Sequence, residues 1–388
     1  MKKKIAILGS TGFIGKSVIN ILKKDKKNIT IKLLTSNKNI KELINQVKIF
    51  NVENIIVLDK KKFDLTKHIL RNKRINIFNN FDSIDKIFKN RKIDYTMNAI
   101  SGLEGLNPTL KIIQYSNKIA IANKESIICG WSLITKQLTK HRTEFIPIDS
   151  EHFSIYSLIN NSKNNDIDEI YITASGGPFN KYPISKFKSI TLKEALNHPN
   201  WKMGKKITVD SATMMNKVFE IIEAKKIFNI DYEKLKILIH PKSYVHALVK
   251  FQNGLTKILI HDTDMTIPIF NSLYQDSNKK IKTKKLNFSI INNLNFCKVD
   301  LKKFPVIKIL KKLPKRHSLY ETIIVAANDC LVNMFLNKQI KFVDISKILL
   351  RIVNNKEFLK YKLIFPKNIK EIVNLSEYVR LKIRSLDI

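Results

Sequence analysis

Glycine is scarce: ten residues in a chain of 388, against the roughly 7% usual in soluble proteins. Proline is also limited to ten, cysteine to three and tryptophan to two. Each shortage excludes something. Cys129, Cys297 and Cys330 are too few for a disulfide framework and lack the spacing of a zinc or redox site, so a reducing, cytoplasmic setting is expected. No apolar run reaches the ~18 residues of a membrane span, so no membrane partner is expected. The opening MKKKIAIL starts like a signal peptide, but its apolar run breaks at once into GSTG and Lys16 and reads better as a first strand. Acidic residues are outnumbered, 33 against 70 Lys and Arg, which gives a formal charge of +37. A surface so basic attracts polyanions. Yet lysine is spread along the whole chain and arginine, the usual base reader, is rare, so no nucleic-acid partner is expected. A hydrophobic content of 44% with 27% charged residues is that of an ordinary folded protein with room for two or three cores.

The glycines that remain stand mostly in motifs. KKIAILGSTGFIGKSVINILKK reads as strand, glycine turn and helix, with Ile5 to Leu8 a buried strand and Ile14 to Leu22 helical in period. Gly9, Gly12 and Gly15 let the turn fold tightly, bring backbone N–H groups to a pyrophosphate and seat the helix on the sheet. Strands at Ile29 to Leu34, Asn54 to Leu58, Ile75 to Phe78, Tyr95 to Ala99 and Lys118 to Ala122 alternate with helical stretches. That alternation is the mark of a Rossmann-type, doubly wound parallel sheet. The second strand ends in TSNKN with no acid to accept from an NAD ribose; Ser36, Lys38 and Asn39 favour the 2′-phosphate of NADP instead. ANKES then places Asn123, Lys124 and Glu125 at the carboxyl edge of the sheet, where such folds bind ligands.

Beyond Pro147 the chain reads FIPIDSEHF. In extended chain, Asp149 and Glu151 point the same way on either side of Ser150 and can share a cation; the competing reading is an acidic helix start. TASGGPF offers the Ser175 hydroxyl and turn N–H groups to a phosphate. The stretch from His198 to Phe228 begins as a loop with an exposed-looking Trp201 and a flexible Gly204, then reads as an amphipathic helix that Asp210 or Ser211 caps. Met214, Met215, Val218, Phe219, Ile221 and Ile222 fall on one arc, and Asn216, Lys217 and Glu220 on the other. Ser211, Asn216 and Lys217 near a helix N-terminus suit an anion, and Glu220 adds a carboxylate one turn on. A small phosphorylated substrate beside a hard cation is the expectation.

GSTGFIG, ANKES, PIDSEH, ASGGPF, HPNWKMGKKITVDSATMMNK and IHPKSYVHALVKFQNG, in that order, resemble the 1-deoxy-D-xylulose 5-phosphate reductoisomerases. The resemblance runs from Lys4 to about Pro268 and loosens from Leu301 onward. It implies isomerisation and NADPH-dependent reduction of that sugar phosphate to 2-C-methyl-D-erythritol 4-phosphate, with Mg2+ or Mn2+, or Co2+ as an alternative, by a homodimer. It implies NADPH contacts from Gly9, Thr11, Gly12, Phe13, Ile14, Lys38, Asn39, Asn123, Glu125, Met203 and Gly204. Asp149, Glu151 and Glu220 would hold the metal, with Lys124 beside the substrate oxygens. Ser150, Ser175, His198, Trp201, Ser211, Asn216 and Lys217 would bind the substrate, the phosphate end above all, under a lid near 197–206. Phe13 departs from the serine common in the family's glycine turn. HDTDMTIPI, His261 to Ile269, lacks the family's usual proline before the aspartate and arginine after the methionine.

The expected architecture is α/β in three parts: a dinucleotide domain over 1–148, an α+β catalytic domain over 149–274, and a small C-terminal helical bundle over 301–388. A lysine-rich, solvated linker over 275–300 joins the last two. A short-chain dehydrogenase would need Tyr-x-x-x-Lys, and Tyr182 with Lys186 and Tyr232 with Lys236 match, but Pro183 spoils the helix of the first.

Overall fold

The computed structural model describes residues 2–89, 91–159, 166–275 and 277–386. The chain forms two compact units, the first made of 1–127, 131–149 and 265–281, the second of 128–130, 150–264 and 282–388.

The first unit is built on seven strands: β1 (Lys3–Leu8), β2 (Ile29–Ser36), β3 (Asn54–Val57), β4 (Asn76–Phe78), β5 (Ile93–Asn98), β6 (Ser116–Ile121) and β7 (Glu144–Pro147). They pair in the order β4-β3-β2-β1-β5-β6-β7, all parallel. Parallel neighbours need crossovers, and α1 (Phe13–Lys23), α2 (Ile40–Phe50) and α3 (Lys124–His141) are three of them. Ile5 to Leu8 are fully buried, as a strand covered on both faces must be. The strand order reverses between β1 and β5, and that switch point is where such sheets receive ligands. β7 was not foreseen; FIP is short and ends in proline, which suits only an edge strand.

The second unit carries a four-stranded mixed sheet of β8 (Ile167–Ala174), β9 (Leu235–Ile239), β10 (Val245–Phe251) and β11 (Thr256–Ile260), in the order β11-β10-β8-β9. α4 (Ser150–Ile159), α5 (Lys205–Ala212) and α6 (Met215–Phe228) belong to this unit. Ile155, Ile170, Ile172, Ile221, Phe228, Ala247 and Val249 form its core. C-terminal helices α7 (Tyr320–Leu336), α8 (Phe342–Val353) and α9 (Ile369–Arg384) complete it. The stretch that opens the expected C-terminal bundle is a 3-10 helix, Pro305–Lys312.

Three expectations are corrected here. Residues 265–281 do not stay with the catalytic segment: the helix Thr266–Leu273 packs Ile269 and Leu273 into the first core, Ser272 Oγ lies 2.8 Å from Tyr95 Oη, and Tyr274 donates to Asp25 at 2.8 Å. The C-terminal helices do not form a unit of their own, since Lys226 of α6 and Glu321 of α7 meet as a buried ion pair at 3.0 Å. The linker is not wholly solvated, because Cys297 exchanges two backbone hydrogen bonds with Ile239, at 2.8 and 2.9 Å.

Candidate active site

The glycine turn is fastened to the end of β2. Gly9 N–H donates to Thr35 Oγ1 at 2.8 Å, Ser10 N–H to Thr35 O at 3.0 Å, and Thr11 Oγ1 lies 3.0 Å from Ser36 Oγ. Gly9 has φ +76°, and a Cβ there would come 2.9 Å from the Ala99 carbonyl, so both conformation and space require glycine. Gly12 precedes α1 and supplies no side-chain cap, which leaves first-turn amides at Phe13 and Ile14 to an anion. Phe13 is half exposed. Lys38 and Asn39 are exposed where α2 begins; Asn39 caps that helix by accepting from Glu42 N–H at 3.3 Å. Asn123 is the N-cap of α3: its Oδ1 accepts from Ser126 N–H at 2.8 Å while its Nδ2 donates to the Ile100 and Gly102 carbonyls. Its side chain is therefore committed to holding the β5 and β6 loops together. Lys124 and Glu125 follow in the first helical turn, both buried, and the Lys124 ammonium pairs with Asp149.

In the second unit the amphipathic stretch is two helices rather than one. Met214 adopts a left-handed backbone, φ 66°, between α5 and α6. Asp210 and Ser211 thus lie at the end of α5 and cap nothing. Asp210 instead accepts from Asn328 Nδ2 at 2.7 Å and pairs with Lys206 at 2.9 Å. Gly177 explains part of the geometry: with φ +64° it lets the ASGGPF turn approach α5, and a Cβ there would sit 2.8 Å from Ser211 O.

In the polar arc of α6, Lys217 at 5% exposure and Glu220 at 0% are buried and Asn216 is half-buried. Lys217 Nζ donates to Glu151 at 2.6 Å and also to Glu220, and Asn216 Nδ2 donates to Glu220. Burial works against the Lys217 charge, but Glu151 and Glu220 more than offset it and hold the ammonium above lysine's ordinary pKa. The structure therefore gives Lys217 carboxylate partners where a phosphate contact was expected. Asp149 and Glu151 are not in extended chain: α4 begins at Ser150, so the helix-start reading describes the local fold. The carboxylates still converge. Asp149, the residue at which the chain passes from one unit to the other, Glu151 and Glu220 offer oxygens all within 4.8 Å of one another. Ser150 Oγ donates to Glu151 at 2.6 Å.

His198 Nδ1 accepts the N–H groups of Asn200 at 3.2 Å and Trp201 at 3.0 Å. Burial, then the nearby Lys217, lowers its pKa to about 4, so the ring is neutral and its proton is on Nε2. Nε2–H donates to Ser175 Oγ at 3.1 Å, and Gly177 N–H donates to the same oxygen at 3.0 Å. Two donors on Ser175 Oγ leave its own proton for an external acceptor. Trp201 is half-buried rather than exposed, and Asn200 Nδ2 ties the loop to Pro241 O at 2.7 Å and Ser243 Oγ at 2.8 Å. Met203 is half-buried and Gly204 exposed at the N-cap of α5.

Sequence reasoning missed His152, Glu223, His246 and His261. His152 Nε2 lies 2.9 Å from Glu220 O, and its Nδ1 lies 3.9 Å from Glu223 of the next α6 turn. The signal was present, since His152 closes PIDSEH and Glu223 is three residues after Glu220.

The glycine-turn parallel sheet is that of a dinucleotide-dependent oxidoreductase, and the clustered carboxylates are half-buried at Asp149 and Glu151 and buried at Glu220. Family models described as 1-deoxy-D-xylulose 5-phosphate reductoisomerase and its C-terminal domains match residues 5–130, 145–228 and 260–382. The 1-deoxy-D-xylulose 5-phosphate reductoisomerase of Pelagibacter ubique is 61% identical over 387 residues, covering 100% of both chains. That of a Sulfurihydrogenibium species is 38% identical over 92% of each. Among solved structures, the enzyme from Zymomonas mobilis in complex with NADPH superposes with a TM-score of 0.88 at 29% identity over 100% of both chains. One in complex with NADPH, fosmidomycin and magnesium does so at 0.90 and 29%, covering 99% of this chain and 98% of the other. The chain belongs to the 1-deoxy-D-xylulose 5-phosphate reductoisomerase family.

Proposed function

We propose that the chain converts 1-deoxy-D-xylulose 5-phosphate to 2-C-methyl-D-erythritol 4-phosphate, an isoprenoid precursor step, at the Glu151–Lys217–Glu220 cluster. The clustering of Asp149, Glu151 and Glu220, with buried Lys217 bridging the last two, is the observation that carries this reading. All-oxygen donors with room for substrate oxygens fit Mg2+ or Mn2+, so Asp149, Glu151 and Glu220 would hold the ion. When bound, the dication supplies Lewis-acid stabilisation of negative charge on oxygen, and NADPH supplies the hydride. NADPH fits the first unit: Gly9, Thr11, Gly12, Phe13 and Ile14 would cradle the pyrophosphate, and Lys38 with Asn39 the 2′-phosphate. Asn123 and Glu125 would line the same edge.

The chain's own groups divide the remaining work. Lys217 stays protonated and brings fixed positive charge to where a substrate oxygen turns negative, and Lys124 does the same from the start of α3. Ser175 donates its hydroxyl proton to a phosphate oxygen, because His198 and Gly177 already occupy its lone pairs. Ser211 and Asn216 flank the start of α6, where the helix dipole favours the same anion. Trp201 closes over the substrate and keeps water from a reactive aldehyde. A homodimer and a cytoplasmic location complete the proposal; no disulfide joins Cys129, Cys297 and Cys330, as a reducing compartment allows. NADPH oxidation with the deoxyxylulose phosphate, with and without Mg2+, is the test. Dication-dependent oxidation is expected, and none with this substrate would remove the reading.

A further inference from the structure

The departing segment that starts at His261 places a second histidine behind the one that meets Trp201. Strands β10 and β11 are antiparallel, with Val245 opposite Ile260 and Ala247 opposite Leu259, so His246 is the extra residue of a β-bulge. A bulge re-aims the side chain it carries. The His246 ring, 2% exposed, meets Trp201 edge-on at 6.0 Å between centroids. On another face it stacks on His261, with centroids 3.6 Å apart and planes within 13°. The backbone secures both rings: His246 Nε2 donates to His261 O at 3.1 Å, His261 Nδ1 donates to Asp262 O at 2.7 Å, and His261 N–H donates to Tyr244 O at 3.1 Å. Burial lowers the pKa of both imidazoles, that of His246 to about 3, so the rings stack without charge repulsion.

We infer that His261 is a positioning residue for substrate binding: its ring backs His246, and His246 sets where the lid's Trp201 rests. His261 touches no reacting group in this account and acts through the flat face it presents. The inference rests on Trp201 being part of the lid proposed above. An aromatic pair of this kind is worth about a factor of five in an equilibrium, and that is the change expected when the ring is lost.

The test compares His261→Leu, which keeps bulk but not the flat face, with His261→Phe, which keeps both, each in a Trp131→Phe background so that Trp201 alone reports. His261→Leu should raise KM for the sugar phosphate about fivefold, leave KM for NADPH unchanged, and shift the Trp201 emission of the substrate-free protein. His261→Phe should restore all three to the parent values. A purely structural role would lower Tm and move both KM values together. The inference is overturned if the Leu and Phe variants behave alike, or if the Leu variant matches its parent. A parent protein that turns over no sugar phosphate would instead sink the lid reading beneath it.

Discussion

Glu220→Gln removes one charge from the most buried part of the site. The wild-type carboxylate is 0% exposed and accepts from Asn216 and Lys217. Breaking a buried pair by deleting one partner costs about 3–5 kcal/mol when the other is left alone. Lys217 is not left alone, because Glu151 stays 2.6 Å away. The loss therefore falls nearer the ~1–3 kcal/mol of a disrupted buried hydrogen bond, a drop in Tm of a few degrees with the fold intact. Alkaline stability changes as well. Lys217's pKa is raised on folding, so its pairing stabilises the protein fully below lysine's ordinary value and is lost as pH rises through the folded one. With one counter-charge gone, that loss should begin at lower pH. The functional effect is larger. Outer ligand partners alone change metal affinity by about 10–100-fold, so half-activation by Mg2+ should need at least that much more ion. Losing ~3–4 kcal/mol of stabilisation on the developing oxyanion slows turnover about 10²–10³-fold. Steady-state rates across an Mg2+ series, beside thermal melts, measure both. Near-normal turnover at limiting Mg2+ would refute the reasoning and remove Glu220 from the site.

Two further outcomes follow from the same geometry. Lys38 is exposed at the start of α2, so Lys38→Ala should raise KM for NADPH much more than KM for NADH in matched assays; equal effects would discard the 2′-phosphate contact. His198 has its pKa depressed from 6.5 to about 4, so the stability its neutral ring confers is present above pH ~6.5 and is lost as pH falls towards ~4. His198→Asn should flatten that part of the stability profile, and an unchanged slope between those pH values would show that His198 is not its source.

The first unit was legible because its signals are local. A strand, three glycines and a helix in sequence can close only a few ways, and Gly9 keeps its place for reasons of φ and space together. The ordered motifs named the candidate residues. What the sequence concealed depends on which core a segment joins. Thr266–Leu273 has an apolar face that suits either core, and only tertiary contacts such as Ser272 meeting Tyr95 and Ile269 entering the first core show which one holds it. The break at Met214 was hidden because a left-handed methionine is costly by itself and is tolerated only where surrounding packing enforces it, here with Met214 and Met215 both buried. Asp149 and Glu151 show the same limit: alternation of two acids suits a strand and a helix start equally well, and both geometries bring their oxygens together.

Asp149, Glu151 and Glu220 are proposed to hold the dication, and anomalous scattering from a crystal soaked in Mn2+ locates the ion. Asp149 also belongs to a second cluster with His152 and Glu223 whose ligand atoms lie within 4.8 Å, so the measurement has a real alternative to reject. An anomalous peak bonded to Asp149, Glu151 and Glu220 is the result expected. A peak bonded to His152 and Glu223 instead, or none near these carboxylates at saturating Mn2+, would contradict the account.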